Sequence, residues 1–102
     1  MIRWLQNSNI GELIKDGTHI IDFYAEWCVG SKTMTTILQE LESEYNLDII
    51  RVNVDLFDDV GKKFKVVSLP TTIFMKDGQI VKEVVGTRSK DQFINIINEI
   101  NK

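Results

Sequence analysis

One cysteine, one proline and one histidine are spread through 102 residues, and each scarcity closes off a class of protein. A single thiol excludes an internal disulfide framework and a cysteine-rich zinc site. No apolar segment approaches the length that spans a bilayer. The N-terminal stretch MIRWLQNSN holds one arginine with no long apolar run behind it, so no secretory signal is expected. Basic residues form no stripe and the formal net charge is −3, which argues against a nucleic-acid partner. No linker or low-complexity tract interrupts the chain. IKDG (residues 14–17) and MKDG (75–78) echo each other, but one closes a helical pattern and the other separates two β runs, so they define no repeat.

What remains is an ordinary globular composition, 43% hydrophobic and 26% charged. The length suits one domain, residues 1–102, with a single packed core. A small cytoplasmic protein is the expectation.

Residues 2–5, IRWL, suggest a short strand. Asn9 and Glu12 have capping-box spacing ahead of a helical pattern that Gly17 stops. THIIDFYA (18–25) is apolar, β-branched and aromatic, as suits a central strand buried on both faces. Met34, Ile37, Leu38, Leu41 and Tyr45 form one apolar stripe, which predicts a helix from near Cys28 to about Tyr45. LDIIRVNVD is strongly β. DLFDDVGKKFK predicts a short helix capped by Asp55 and weakened by Gly61. Two β runs, Thr71–Met75 and Gln79–Val85, flank the hairpin signal KDG. Ser89 and Gln92 form a capping box, and Phe93, Ile96, Ile97 and Ile100 give the last helix its buried face. The order β-α-β-α-β-α-β-β-α predicts a three-layer α/β/α sandwich, with a mixed sheet of about five strands and about four helices.

Cys28 stands where the central strand hands over to the long helix. The first N–H groups of that helix point at its sulfur and the dipole favours negative charge there. Both lower the thiol pKa, and the thiolate is the nucleophile. Lys32, one turn on, adds positive potential. Elsewhere a lone cysteine is a small buried hydrophobe; with Trp27 before it and a helix after it, Cys28 is a candidate nucleophile. Ser31 follows one turn later on the same face. Asp22 interrupts IIDFY, and a carboxylate buried there has its pKa raised by desolvation; a solvated strand aspartate is the alternative. Pro70 opens a strand, where a missing N–H is tolerated. His19 reads as a solvated or capping residue rather than a partner of Cys28. No metal cluster, phosphate loop or Ser/His/Asp set is visible.

DFYAEWC ending a strand, VNVD on the next strand, SLPT before the hairpin and VVGTRSKDQF before the last helix resemble the thioredoxin family over nearly the whole chain. That family is a dithiol–disulfide oxidoreductase with the motif W-C-G-P-C-K, where this chain reads W-C-V-G-S-K. Val29-Gly30 replaces Gly-Pro, Ser31 replaces the second cysteine, and Thr36 replaces a helix-kinking proline, so a straighter helix is expected.

The resemblance implies that Cys28 attacks a substrate disulfide and that Ser31 occupies the position of the resolving cysteine. It implies that Asp22 relays protons. Arg51 stands where the family often has a lysine, and its permanent charge pulls the Asp22 pKa down. It further implies a cis Leu69–Pro70 bond facing Cys28, with the Leu69 backbone pairing with substrate as an added strand. Trp27, Val29, Gly30, Leu69 and Gly86 would form an apolar rim, Gly86 admitting a close substrate backbone. Implied partners are disulfide-bearing proteins and an NADPH-dependent flavoprotein, thioredoxin reductase. The protein itself is expected to be a monomer with no cofactor and no metal. On this reading Ser31 is a substitution made in a C-V-G-C site, trapping the first mixed disulfide. A natural monothiol enzyme resolved by glutathione and a non-catalytic docking module are the alternatives.

Overall fold

The computed structural model describes residues 1–101. Its elements are β1 (Ile2–Trp4), α1 (Ile10–Ile14), β2 (Thr18–Tyr24), α2 (Val29–Tyr45), β3 (Ile49–Asn53), α3 (Asp58–Lys63), β4 (Thr71–Lys76), β5 (Gln79–Val85) and α4 (Lys90–Ile100). The predicted order and the mixed five-stranded sheet are both present, with strands in the sequence β1-β3-β2-β4-β5. β2 pairs in parallel with β3 and antiparallel with β4. It is buried at every position after Thr18, as expected of a mainly apolar and β-branched central strand, with His19 and Asp22 buried among its apolar residues.

The two-residue period of the strands splits the core in two. Ile21, Phe23, Ile50, Val52, Ile73 and Met75 face one layer, where Ile10 and Ile14 of α1 and Val60 of α3 cover them. Ile20, Ile49 and Phe74 face the other, under Met34, Leu38 and Leu41 of α2 and Phe93 and Ile97 of α4. Asp22 and Arg51 share this second face by alternation.

α2 runs unbroken through Thr36 and closes on Asn46 in the left-handed region (φ 53°). α4 has its capping box, with the Gln92 amide donating to Ser89 Oγ and the Ser89 amide to Gln92 Oε1. Two expected caps are absent. The Asn9 side chain makes no cap hydrogen bond, and its amide instead donates to Asn7 Oδ1 at 2.9 Å. α3 begins only at Asp58, with Phe57 at its cap. Asp55 belongs to the preceding turn, where its amide donates to Asn53 Oδ1.

The KDG echo has a structural meaning after all. The Gly17 amide donates to Asp77 Oδ1 at 2.8 Å, and the Asp77 amide donates to the Gly17 carbonyl at 2.9 Å. The two turns clasp each other and tie α1 to the β4–β5 hairpin. Among the described residues, no helix is long and apolar enough to cross a membrane.

Candidate active site

β2 delivers the chain to Cys28 through a tight turn, in which the Cys28 amide donates to the Ala25 carbonyl at 3.2 Å. Cys28 is the N-cap of α2, in an extended conformation (φ −91°, ψ 116°). Its thiol is partly exposed. The pKa of this thiol is lowered first by a hydrogen bond from the Ser31 hydroxyl and next by the Ser31 amide. The Gly30 amide contributes less, and partial burial opposes all three. The helix N-terminus therefore acts as expected, but a side-chain hydroxyl leads it. Lys32 takes no part in the shift; its side chain is exposed, where water and salt screen its charge.

Ser31 is buried, 1% exposed. Its Oγ also accepts from the Ala25 amide at 3.5 Å. A hydroxyl thus lies one turn from Cys28, shielded from solvent and next to the sulfur.

Asp22 is fully buried. Arg51 Nε donates to Asp22 Oδ2 at 2.9 Å, while Oδ1 has no partner. Burial raises the Asp22 pKa, and the charge and hydrogen bond of Arg51 offset only part of that. Arg51 is neither solvated nor free. Its guanidinium lies 3.8 Å from the Tyr24 ring centroid and 5.9 Å from that of Trp4. Arg51 Nη2 donates to Thr35 Oγ1 at 2.7 Å, and that hydroxyl donates to the Ser31 carbonyl at 2.9 Å. A continuous hydrogen-bonded path therefore joins Asp22 to the turn that carries Ser31.

The Leu69–Pro70 bond is cis. Pro70 packs against Gly30 and the Pro70 carbonyl accepts from the Gly86 amide at 2.8 Å. Gly86 adopts a left-handed conformation (φ 87°), which favours glycine. Trp27 is 70% exposed and its Nε1 donates to Asp55 Oδ2 at 3.0 Å. Trp27 and Leu69 line an apolar cleft of about 330 Å³ with Val54, Val66 and Val67. Val29 is exposed but lies outside this cleft.

The structure thus gathers Cys28, Ser31, Gly30, Pro70 and Gly86 in one place and links Asp22 and Arg51 to it. His19 sits at the opposite end of β2 and is not solvated. Its Nδ1 faces Asp48 Oδ2 at 2.5 Å and its Nε2 the Asp16 carbonyl at 2.6 Å. Thr35, Thr72, Val66 and Val67 were not singled out from the sequence, and Asp55 was expected only as a helix cap, not as the partner of Trp27. The run VV directly before SLP was a visible signal for the cleft; the others depend on tertiary contacts. Among the described residues, no group of three His, Cys, Asp or Glu side chains is placed to hold a metal.

Comparison with known proteins agrees with this fold. The thioredoxin family model matches residues 2–99. A thioredoxin of Chlamydia caviae is 38% identical over 100 residues, spanning 97% of this chain and 98% of its own. One of Staphylococcus haemolyticus is 36% identical over 95 residues, covering 91% of each. The oxidised mitochondrial thioredoxin 3 of Saccharomyces cerevisiae superposes with a TM-score of 0.86 at 31% identity, covering 96% of this chain and 94% of that one.

Proposed function

The chain belongs to the thioredoxin family of thiol–disulfide oxidoreductases, and from that membership we propose that it exchanges disulfides with protein substrates through Cys28 alone. One observation carries the reading: a partly exposed thiol at a helix N-terminus, its pKa lowered, two residues before the Gly30 that packs against Pro70. The Cys28 thiolate attacks one sulfur of a substrate disulfide. A new S–S bond joins Cys28 to the substrate, the old S–S bond breaks, and the second substrate sulfur leaves as a thiolate and takes a proton from water. The cleft between Trp27 and Leu69 receives apolar residues flanking that disulfide, and the Leu69 backbone pairs with them as an added strand.

Ser31 stands where a second thiol would attack the mixed disulfide. Its oxygen stabilises the thiolate but forms no S–S bond. We read it as a replacement of the resolving cysteine in a C-V-G-C site, so the chain stalls after one exchange. The dithiol form would draw its electrons from thioredoxin reductase.

A second reading, a natural monothiol enzyme, is favoured by the buried and hydrogen-bonded state of the Ser31 hydroxyl, which leads the lowering of the thiol pKa. An external thiol such as glutathione would then attack the Cys28 sulfur and free the reduced substrate. A second would free Cys28 and leave as the external disulfide, so that two thiols reduce one substrate disulfide.

The test is mass spectrometry of the reduced protein after mixing with a disulfide-bearing protein and no added thiol. A single covalent adduct at Cys28, absent from Cys28→Ser, is expected. No adduct at all would leave the fold as a docking module. Sustained turnover with glutathione would select the monothiol enzyme over the trapped one.

A further inference from the structure

Asp22 lies between two neighbours in the sheet. Arg51 of β3 is its register partner on one side and Thr72 of β4 on the other. Side chains directly opposite one another on adjacent strands share a face, with Cβ atoms about 4.5–5.5 Å apart in antiparallel pairs. Both Asp22 and Thr72 are fully buried. Arg51 takes Asp22 Oδ2, while Asp22 Oδ1 and Thr72 Oγ1 have no partner. Two unpaired polar atoms thus belong to one cross-strand pair. Leaving both unpaired is costly in a core. A threonine hydroxyl is a rotating donor and an ionised carboxylate oxygen an acceptor, so the two are complementary. The adjacent Thr71 is not available for the task, because its hydroxyl donates to the Ser68 carbonyl at 2.6 Å.

We propose that Thr72 is a positioning residue for Asp22, its hydroxyl donating over a single bridging water to the carboxylate oxygen that Arg51 leaves free. The carboxylate is then held from both flanking strands. Arg51 of β3 is the charged group paired with it, Thr72 of β4 is the neutral one, and Thr35 of α2 is reached through Arg51. The hydrogen bond stabilises the ionised carboxylate and works against the burial that raises its pKa. Through Arg51 and Thr35 the effect reaches the Ser31 turn, and its consequence for exchange rests on Cys28 being the nucleophile.

The experiment follows the Asp22 carboxyl carbon by NMR through a pH titration of the full chain, beside the pH profile of Cys28 alkylation. Thr72→Val and Thr72→Ala remove the hydroxyl and should move the Asp22 midpoint up by about one pH unit. Thr72→Ser should restore it. An unmoved or lowered midpoint in both hydroxyl-free variants overturns the proposal. So does a Thr72→Ser variant that titrates like Thr72→Val. Asp22→Asn separates the hydrogen bond from any role of Asp22 in exchange. If it leaves the Cys28 profile unchanged while the Thr72 variants still shift the carboxyl midpoint, the hydrogen bond stands and Asp22 has no part in exchange.

Discussion

A Cβ placed on Gly30 would lie 3.0 Å from Pro70 Cδ and 3.4 Å from Thr87 Cγ2. Gly30 is in the first turn of α2, two residues from Cys28, and Pro70 directly precedes β4. The absence of a side chain at position 30 is what lets these two segments meet beside the thiol.

Gly30→Ala should therefore destabilise the protein. Overpacking costs about 1–3 kcal/mol, and the gain in helix propensity returns about 1 kcal/mol. A net loss of about 1 kcal/mol in urea denaturation is expected, with slower alkylation of Cys28 as the turn shifts. An unchanged denaturation midpoint would mean that Pro70 moves aside freely.

Gly11→Ala should have the opposite sign. Gly11 lies in α1 and nothing stands within 4 Å of its missing Cβ. The substitution adds helix propensity and narrows the unfolded ensemble, worth about 0.4–1 kcal/mol of stabilisation. Destabilisation would show that α1 packs more tightly than this geometry allows.

Ser31→Ala should raise the Cys28 pKa, because the Ser31 hydroxyl is the largest of the influences that lower it. The alkylation profile of the thiol should move to higher pH and the rate at neutral pH should fall. The backbone amides of Ser31 and Gly30 remain, so part of the lowering persists. A profile identical to that of the parent would transfer the whole effect to the helix N-terminus.

The long elements were legible from signals sustained along the chain: the apolar and β-branched residues of β2, the stripe of α2 and the two β runs on either side of KDG. The boundaries that slipped are those where a side chain had two possible employers. Asp55 had the composition of a cap, yet Asn53 shapes its turn and its carboxylate serves Trp27. Cys28 and Ser31 could be singled out because a strand–helix junction and an i, i+3 spacing are local properties. Thr35 and Thr72 could not, because their meaning comes from what α2 and β4 bring to Arg51 and Asp22. The clasp of Gly17 and Asp77 likewise joins segments 60 residues apart.

Asp22 should make stability fall as pH rises. Its native pKa is raised, so between the unfolded midpoint, about 3.9, and the higher native one the folded state holds more protons. The contribution is complete below the unfolded midpoint and is lost as pH rises through the native one. Asp22→Asn removes this dependence while leaving an oxygen for Arg51 Nε. Urea denaturation at several pH values should show the variant gaining on the parent as pH increases. The slope of that difference is the test; a flat slope would mean that Arg51 balances burial, and an inverted one that it outweighs burial.

Replacing Ser31 by cysteine tests the central question of the site. Positions 28 and 31 are one turn apart, and side chains so related lie about 5–6 Å apart at Cβ. That is somewhat wider than the spacing a disulfide needs, about 3.5–4.5 Å. The N-cap conformation of Cys28, outside the helix proper, supplies freedom to close the gap. Ser31 is buried while Cys28 is partly exposed, so a second thiol there would meet the Cys28 sulfur and be screened from outside disulfides. Substrate would still enter through Cys28, and the buried thiol would attack the Cys28 sulfur and release the reduced substrate. On the proposed reading, in which the chain stops after one adduct, Ser31→Cys should turn over with thioredoxin reductase and NADPH, and mass spectrometry should show an intramolecular disulfide in place of the adduct. If the variant forms that disulfide yet reduces no protein substrate, the cleft between Trp27 and Leu69 does not receive one. If Cys28 stays reactive and no intramolecular disulfide forms, position 31 is not that of a resolving thiol.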